Sequence, residues 1–143
     1  MMKKGVLTMI AIFSIVTIGK AQKQEKTKIK EVITAFAKAG DSNDYEALDA
    51  YLDDNYRVVM NRLFGSKQVA ILPKTVYVDK IKSKEFGGDT RELTFKNITV
   101  NGLTASAEVI FVGSKMTFHS IMLLAKNEEN VWKLVSDMPV VEK

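Results

Sequence analysis

An acid–base or binding site in this chain can draw on one histidine, His119, four tyrosines and 17 carboxylates, but on no cysteine. The absence of cysteine excludes disulfides, thiolate zinc sites, iron–sulfur clusters and a cysteine nucleophile. The lone histidine excludes any site needing two. No Gly-rich phosphate loop, nucleophile elbow or metal-ligand cluster is present, so neither a metal nor a cofactor is expected. Asp41-Ser42-Asn43-Asp44-Tyr45-Glu46 begins like a calcium loop, but Glu46 stands where the required glycine should be. An acid-rich helix start accounts for it better. Asn97-Ile98-Thr99 is formally a glycosylation sequon, set within a strand pattern.

What remains is a set of aromatic and small polar side chains: Tyr51, Tyr56, Met60, Tyr77, Ser120 and Trp132. A phenol can donate to a ligand carbonyl or to a developing oxyanion. Equally, each tyrosine can be an amphipathic core residue whose hydroxyl reaches water. These six are the expected ligand-binding residues, and no catalytic residue is assigned. Acid–base catalysis on an apolar substrate needs an acid and a base converging in one pocket. The nearest carboxylates, Asp79 and Asp137, read as lying on a helix surface or at an element end.

Positioning falls to a single domain preceded by an export signal. The chain has 143 residues, 46% hydrophobic and 27% charged, with two prolines and eight glycines, which suits one folded domain. Met1 to Ala21 reads as a signal peptide: Lys3 and Lys4, an uncharged run from Gly5 to Ile18, then Gly19-Lys20-Ala21 before Gln22. That run is shorter than the roughly 20 residues a spanning helix needs, so no membrane association is expected after cleavage. An exported chain of residues 22–143, periplasmic or secreted, is the expectation. Cleavage removes three of the 21 basic residues and leaves 18 against 17 acidic ones. Lys23, Lys26, Lys28 and Lys30 are interrupted by Glu25 and lack interleaved aromatics. They read as a solvated tail before the first helix, and nucleic acid is not an expected partner.

Ile29, Val32, Ile33, Phe36 and Ala37 fit one helix face, with Gly40 as its stop. Asn43 and Glu46 resemble a capping pair for a second helix with a stripe of Tyr45, Leu48 and Leu52. The two are expected to be short, antiparallel and of complementary charge. Tyr56 to Asn61 alternates as a strand, Val69 to Leu72 returns, and Pro73 opens a third helix buried through Val76, Tyr77 and Ile81. Arg91–Val100, Thr104–Val112, Met116–Lys126 and Val131–Pro139 read as an antiparallel meander, with turns at Asn101-Gly102 and Gly113-Ser114.

Those turns pair Val100 with Leu103 and Val112 with Lys115. One face then carries Ile98, Val100, Leu103, Ala105, Ala107, Val109, Phe111, Met116, Phe118, Ser120, Met122 and Leu124, and must be covered. Leu93 and Phe95 are out of phase with Ile98, which a bulge at Lys96-Asn97 repairs. Trp132 and Leu134 are expected on the covered face. The other face carries His119, opposite Glu108, among Ile110, Val112, Ile121 and Leu123. This places His119 away from any pocket. The four apolar residues, with His119, form the expected homodimer interface.

The order helix, helix, strand, short strand, helix, four-strand meander resembles the nuclear transport factor 2-like superfamily, in particular its small exported bacterial branch labelled lumazine-binding. The resemblance rests on Val32–Leu52, Tyr56–Met60, Ile71-Leu72-Pro73-Lys74 into Tyr77, Phe118–Lys126 and Val131-Trp132-Lys133-Leu134-Val135. It implies an α+β, cone-shaped fold, with three helices on a curved antiparallel sheet and a pocket at the wide end. It also implies dimers through the outer sheet face. Three functions follow as expectations: a non-catalytic domain binding a small apolar or aromatic molecule, an enzyme of the isomerase or dehydratase type using the same pocket, or a dimeric interaction module with a filled cone.

Overall fold

The computed structural model describes residues 2–142, with side chains from Thr17 onward. In chain order the elements are α1 (Met2–Asp41), α2 (Tyr45–Ala50), β1 (Leu52–Asn61), β2 (Val69–Pro73), α3 (Lys74–Lys82), β3 (Glu92–Asn101), β4 (Thr104–Val112), β5 (Thr117–Lys126) and β6 (Trp132–Val141). Six strands form one sheet in the order β2-β1-β6-β5-β4-β3. Every neighbouring pair is antiparallel except β1 and β6, which run parallel. The three helices pack on the sheet, an α+β architecture.

The first helix differs most from expectation. It is continuous through the segment read as a tail, so the first two helices are not a short matched pair. Within the expected signal segment, Met1 and the side chains through residue 16 lie outside the described residues. Among the described residues no helix is long and apolar enough to cross a membrane. Glu25 explains why the helix persists. Its carboxylate accepts from the Trp132 indole N–H at 2.7 Å and pairs with Lys126 at 2.9 Å and Lys28 at 3.2 Å. One turn on, Ile29, Ile33, Phe36 and Ala37 enter the core. The same stripe that makes the helix amphipathic therefore fixes it to the sheet.

Asn43, not Gly40, takes the left-handed conformation at the end of α1, with φ 55°. Its side-chain amide donates to the carbonyls of Ile81 and Phe86, tying α1 to the segment after α3. There Gly87 is obligatory: φ is 79°, and a Cβ would run into the Gly40 carbonyl oxygen. The α2 cap is Asp44, accepting from the Ala47 N–H, one residue beyond the expected Asn43. Leu52 begins β1 rather than completing α2. In α3, Ile81 is buried and Tyr77 half-buried, but Val76 is exposed and Val78 packs on the core instead.

In the meander the faces are as expected while each turn sits one residue further along the chain, at Gly102-Leu103 and Ser114-Lys115. Val100 pairs with Ala105 and Val112 with Thr117. Leu103 therefore sits in the turn, exposed, and Met116 lies beyond the strand end. Pairing slides by two residues, and a slide of two preserves which face each side chain takes. The bulge falls at Lys96, between Phe95 and Asn97. Trp132 and Leu134 are buried against the helices, joining Ile98, Ala105, Ala107, Val109, Phe111, Met122 and Leu124.

The partners of Glu25 hold its carboxyl at about 2, below the usual 4.5, through Lys126 first and then Trp132 and Lys28. A depressed value stabilises the fold above the ordinary pKa and is lost on acidification. Glu25→Gln is expected to cost about 1–2 kcal/mol at pH 7. In urea unfolding the gap to wild type should narrow as pH falls from 4.5 toward 2.

Candidate ligand-binding site

The covered face of the sheet does not fill completely with its own side chains. A cavity of about 270 Å³ opens between α3, the segment after it and the ends of β1, β4, β5 and β6. Its apolar wall comes from Phe36 of α1, Val58 and Met60 of β1, Tyr77 and Ile81 of α3, Phe86, and Phe111 and Phe118 of the meander. Phe36, Tyr56, Tyr77 and Phe86 form a chain of aromatic contacts, with ring centroids 5.5–6.5 Å apart from one ring to the next. Such edge and offset contacts hold ring faces at fixed angles.

The polar part of the wall is smaller and more specific. Ser120 and Asp137 lie on it, from neighbouring strands, with Arg91 near the start of β3. Asp137 is the residue that sequence reasoning misplaced. In β6 the pairing runs Leu124 with Leu134, then Leu123 with Ser136, leaving Val135 as an extra residue. That bulge reverses the phase. Trp132 and Leu134 face inward before it, and Asp137 and Pro139 face inward after it, opposite Met122 and Ser120.

Burial governs the chemistry of Asp137. Desolvation raises its carboxyl from 3.8 to about 6, opposed by the Ser120 hydroxyl and by the Arg91 charge. Its Oδ1 is sealed from solvent and has no hydrogen-bond partner; among the described residues only the Tyr56 hydroxyl shares that condition. Burial likewise pushes the Tyr56 and Tyr77 phenols well above their ordinary value, with the Asp137 charge adding to both. Arg91 is already committed. Its Nε donates to Asp41 at 2.6 Å, its Nη2 to the Ala37 carbonyl at 3.2 Å, and its guanidinium lies 5.1 Å from the Phe111 ring centre.

At the rim, Asp89 gathers the Ser114 hydroxyl at 2.6 Å and the Ser114 and Lys115 N–H groups, which clips the segment after α3 to the β4–β5 turn. These bonds hold the Asp89 carboxyl below its usual range. Phe64 also lines the cavity, exposed and at φ 53°.

Of the six residues read as ligand-binding, the structure brings Met60, Tyr77 and Ser120 to the cavity wall. Tyr56 is buried behind it, 5.5 Å from the Tyr77 ring. Tyr51 and Trp132 are elsewhere. Tyr51 caps α2, and Trp132 is sealed against Glu25 and Lys126. His119 is on the outer face and away from the cavity, but its partner is corrected. It lies opposite Ile110, not Glu108, and its Nε2 is 3.6 Å from Glu142. Ile110, Val112, Ile121 and Leu123 share that face with Met138 and Val140, which the β6 bulge adds to it. Among the described residues no cluster of His, Asp and Glu could hold a metal ion.

A family model described as "Putative lumazine-binding" matches residues 24–138. No curated protein matches the chain. Among solved structures, a nuclear transport factor 2-like protein of unknown function from Silicibacter pomeroyi aligns with a TM-score of 0.74 at 13% identity, covering 85% of this chain and 98% of that one. One from Shewanella baltica, likewise of unknown function, aligns at 0.72 and 19% identity, covering 84% and 95%. A ketosteroid isomerase-like protein from Erwinia carotovora atroseptica aligns at 0.64 and 14% identity, covering 82% and 95%. At these identities the likeness shows the fold.

Because the folded state prefers Asp137 protonated, this group's contribution to stability is complete below 3.8 and is lost as pH rises through about 6. Asp137→Asn, which mimics the protonated form, is expected to be more stable than wild type at pH 8 by up to about 3 kcal/mol. The difference should be largely gone by about pH 4 in chemical denaturation, where Asp137 is protonated in the folded protein, and should vanish below 3.8.

Proposed function

Given that this chain belongs to the family described as "Putative lumazine-binding" and has the nuclear transport factor 2-like fold, we propose that its cavity binds a small, ring-containing, largely apolar molecule without transforming it. The observation that carries this reading is the cavity of about 270 Å³ walled by Phe36, Tyr77, Phe86, Phe111 and Phe118, with Ser120, Asp137 and Arg91 among its polar lining. A pocket of that kind, mostly apolar with a few convergent polar groups, is the usual form of a small-molecule site. The family description names a small heterocycle, and the volume suits one bicyclic ring system. A cone filled by its own side chains, the interaction-module reading, is not favoured by an open space of this size.

Acid–base catalysis is a second reading, favoured by one observation: Asp137 on the cavity wall with its carboxyl raised to about 6. A group poised near neutral pH can accept and return a proton. Binding comes first because Tyr56, the buried hydroxyl coupled to Asp137, lies behind the wall rather than on it.

A thermal-shift screen of ring compounds against wild type and Met60→Trp tests the binding reading. Binders are expected to raise the melting temperature of wild type and to lose most of that effect where the indole occupies the cavity. Ligands that bind both proteins equally, or no binder at millimolar concentration, would overturn it.

We also propose that residues 1–21 are removed on export and that the mature chain is a homodimer through the outer sheet face. The first rests on the charged, apolar and small-residue order of that segment. The second rests on exposed Val112, Ile121, Leu123, Met138 and Val140 lying on one sheet face. Chain recovered from the periplasm or medium is expected to begin at Gln22 and to sediment as a dimer, with Ile121→Glu shifting it to monomer. Retention of the leader would sink the first proposal, and a dimer indifferent to Ile121→Glu the second.

A further inference from the structure

Resting on the binding reading above, we propose that the ligand carries a protonated nitrogen, so that the cavity is a site for an aromatic or alicyclic amine whose cationic group is received by Asp137. Three observations converge on this. Asp137 is a lining residue of the cavity, its Ser120 neighbour bonds the carboxyl group, and its Oδ1 is buried just beneath the surface without any hydrogen-bond partner. A carboxylate oxygen is an acceptor only, so what it lacks is a donor. A buried anion left unpaired is among the costliest groups a fold can carry, and an ammonium donor is its natural complement.

The surrounding rings point the same way. Phe36, Tyr77, Phe86, Phe111 and Phe118 wall the same cavity. Aromatic faces attract a cation and give an anion nothing. The chain uses them so already: the Arg91 guanidinium rests on Phe111, and the Lys80 ammonium on Phe86.

Three of the other charged groups around the site already have partners. Arg91 is paired with Asp41, Glu85 with Lys80 at 2.6 Å, and Asp89 with Ser114 and the Lys115 N–H. Lys115 is the remaining cation on the rim. Tyr56 from β1 and Tyr77 from α3 face the carboxylate as neutral phenols, both raised above their ordinary value. Asp137 is therefore the carboxylate on the wall that keeps an oxygen without a hydrogen-bond partner. It is ionised at neutral pH and protonated below about 6. A cation is bound by the ionised form, so its affinity should be constant above that pH and fall below it. A neutral acceptor such as a ketone would show the opposite slope, gaining affinity as Asp137 takes up a proton.

The test uses three probes with one ring system: 2-naphthylmethylamine, 2-naphthylmethanol and 2-naphthoate, titrated calorimetrically into wild type, Asp137→Asn and Met60→Trp. At pH 7.5 the amine is expected to bind about ten-fold more tightly than the alcohol, the order of a charge-assisted hydrogen bond, with the carboxylate weakest. The amine's advantage should shrink between pH 6.5 and 5 in wild type, whose Asp137 titrates at about 6. In Asp137→Asn it should disappear while alcohol binding persists. An alcohol or carboxylate that matches the amine, with all binding lost in Met60→Trp, would overturn this inference and leave the binding reading intact. If none of the three binds wild type, both fall. The wild-type pH series decides the matter without any variant.

Discussion

One extra residue in the last strand decides what the interior of this protein is. Val135 sits between two registers of the β5–β6 ladder, and the phase of the strand reverses across it. Before it, Trp132 and Leu134 close the core beneath α1. After it, Asp137 and Pro139 face the cavity, while Met138 and Val140 turn out. Without the bulge Met138 would point inward in place of Asp137. Parallel β1 pairs with the same strand on its other side, and its own register shifts between Leu52 and Arg57, beside the bulge. Two neighbouring irregularities thus place Val58 beside Asp137 and Tyr56 behind the wall, where hydroxyl and carboxylate interact electrostatically.

Two carboxylates show how differently the fold treats the same group. Glu25 is held by an indole N–H and two ammonium groups at the edge of the core, and its charge is stabilised by all three. Asp137 has one serine and a distant, already paired arginine, and desolvation dominates. The first is a fastening that anchors a helix to the sheet. The second is a local cost with no structural return, since an apolar or amide side chain at that point would satisfy the interior better. Among the described residues the rule of buried polar satisfaction is broken only at Asp137 and at the Tyr56 hydroxyl that interacts with it, which is why the proposed site is built around that carboxylate.

Much of this was legible from residue types alone. The meander, its faces and the Lys96 bulge were readable because one face is apolar at nearly every second position while polar residues fall only on the other through most of β3 and β4. Where apolar residues fall out of phase, as Leu93 and Phe95 do with Ile98, an inserted residue is the simplest repair. The β6 bulge left no such trace. Trp132, Leu134, Met138 and Val140 keep one parity across it, and Ser136 and Asp137 between them give no apolar signal for either face. An apolar pattern cannot report a phase change when the next apolar residues belong to the opposite, equally apolar face. The extent of α1 was hidden for a different reason. Glu25 looked like an interruption in a lysine-rich run because its partners, Lys126 and Trp132, are about a hundred residues away. Tyr51 and Trp132 were drawn to the pocket by their type. Their neighbours, not their chemistry, put them elsewhere.

The parallel β1–β6 pairing also has a kinetic side. Hairpins β3–β4, β4–β5 and β5–β6 close loops of a few residues, cheaply and early in any search through conformations. Joining Leu52 to Leu134 closes a loop of roughly eighty residues, and Glu25 to Trp132 a longer one. Until those closures occur the meander exposes the apolar inner face that α1 and β1 will cover. The slow step of folding and the completion of the cavity are then the same event. A chain released before it displays a sticky half-sheet, and quality control in its compartment would meet that surface rather than the finished protein.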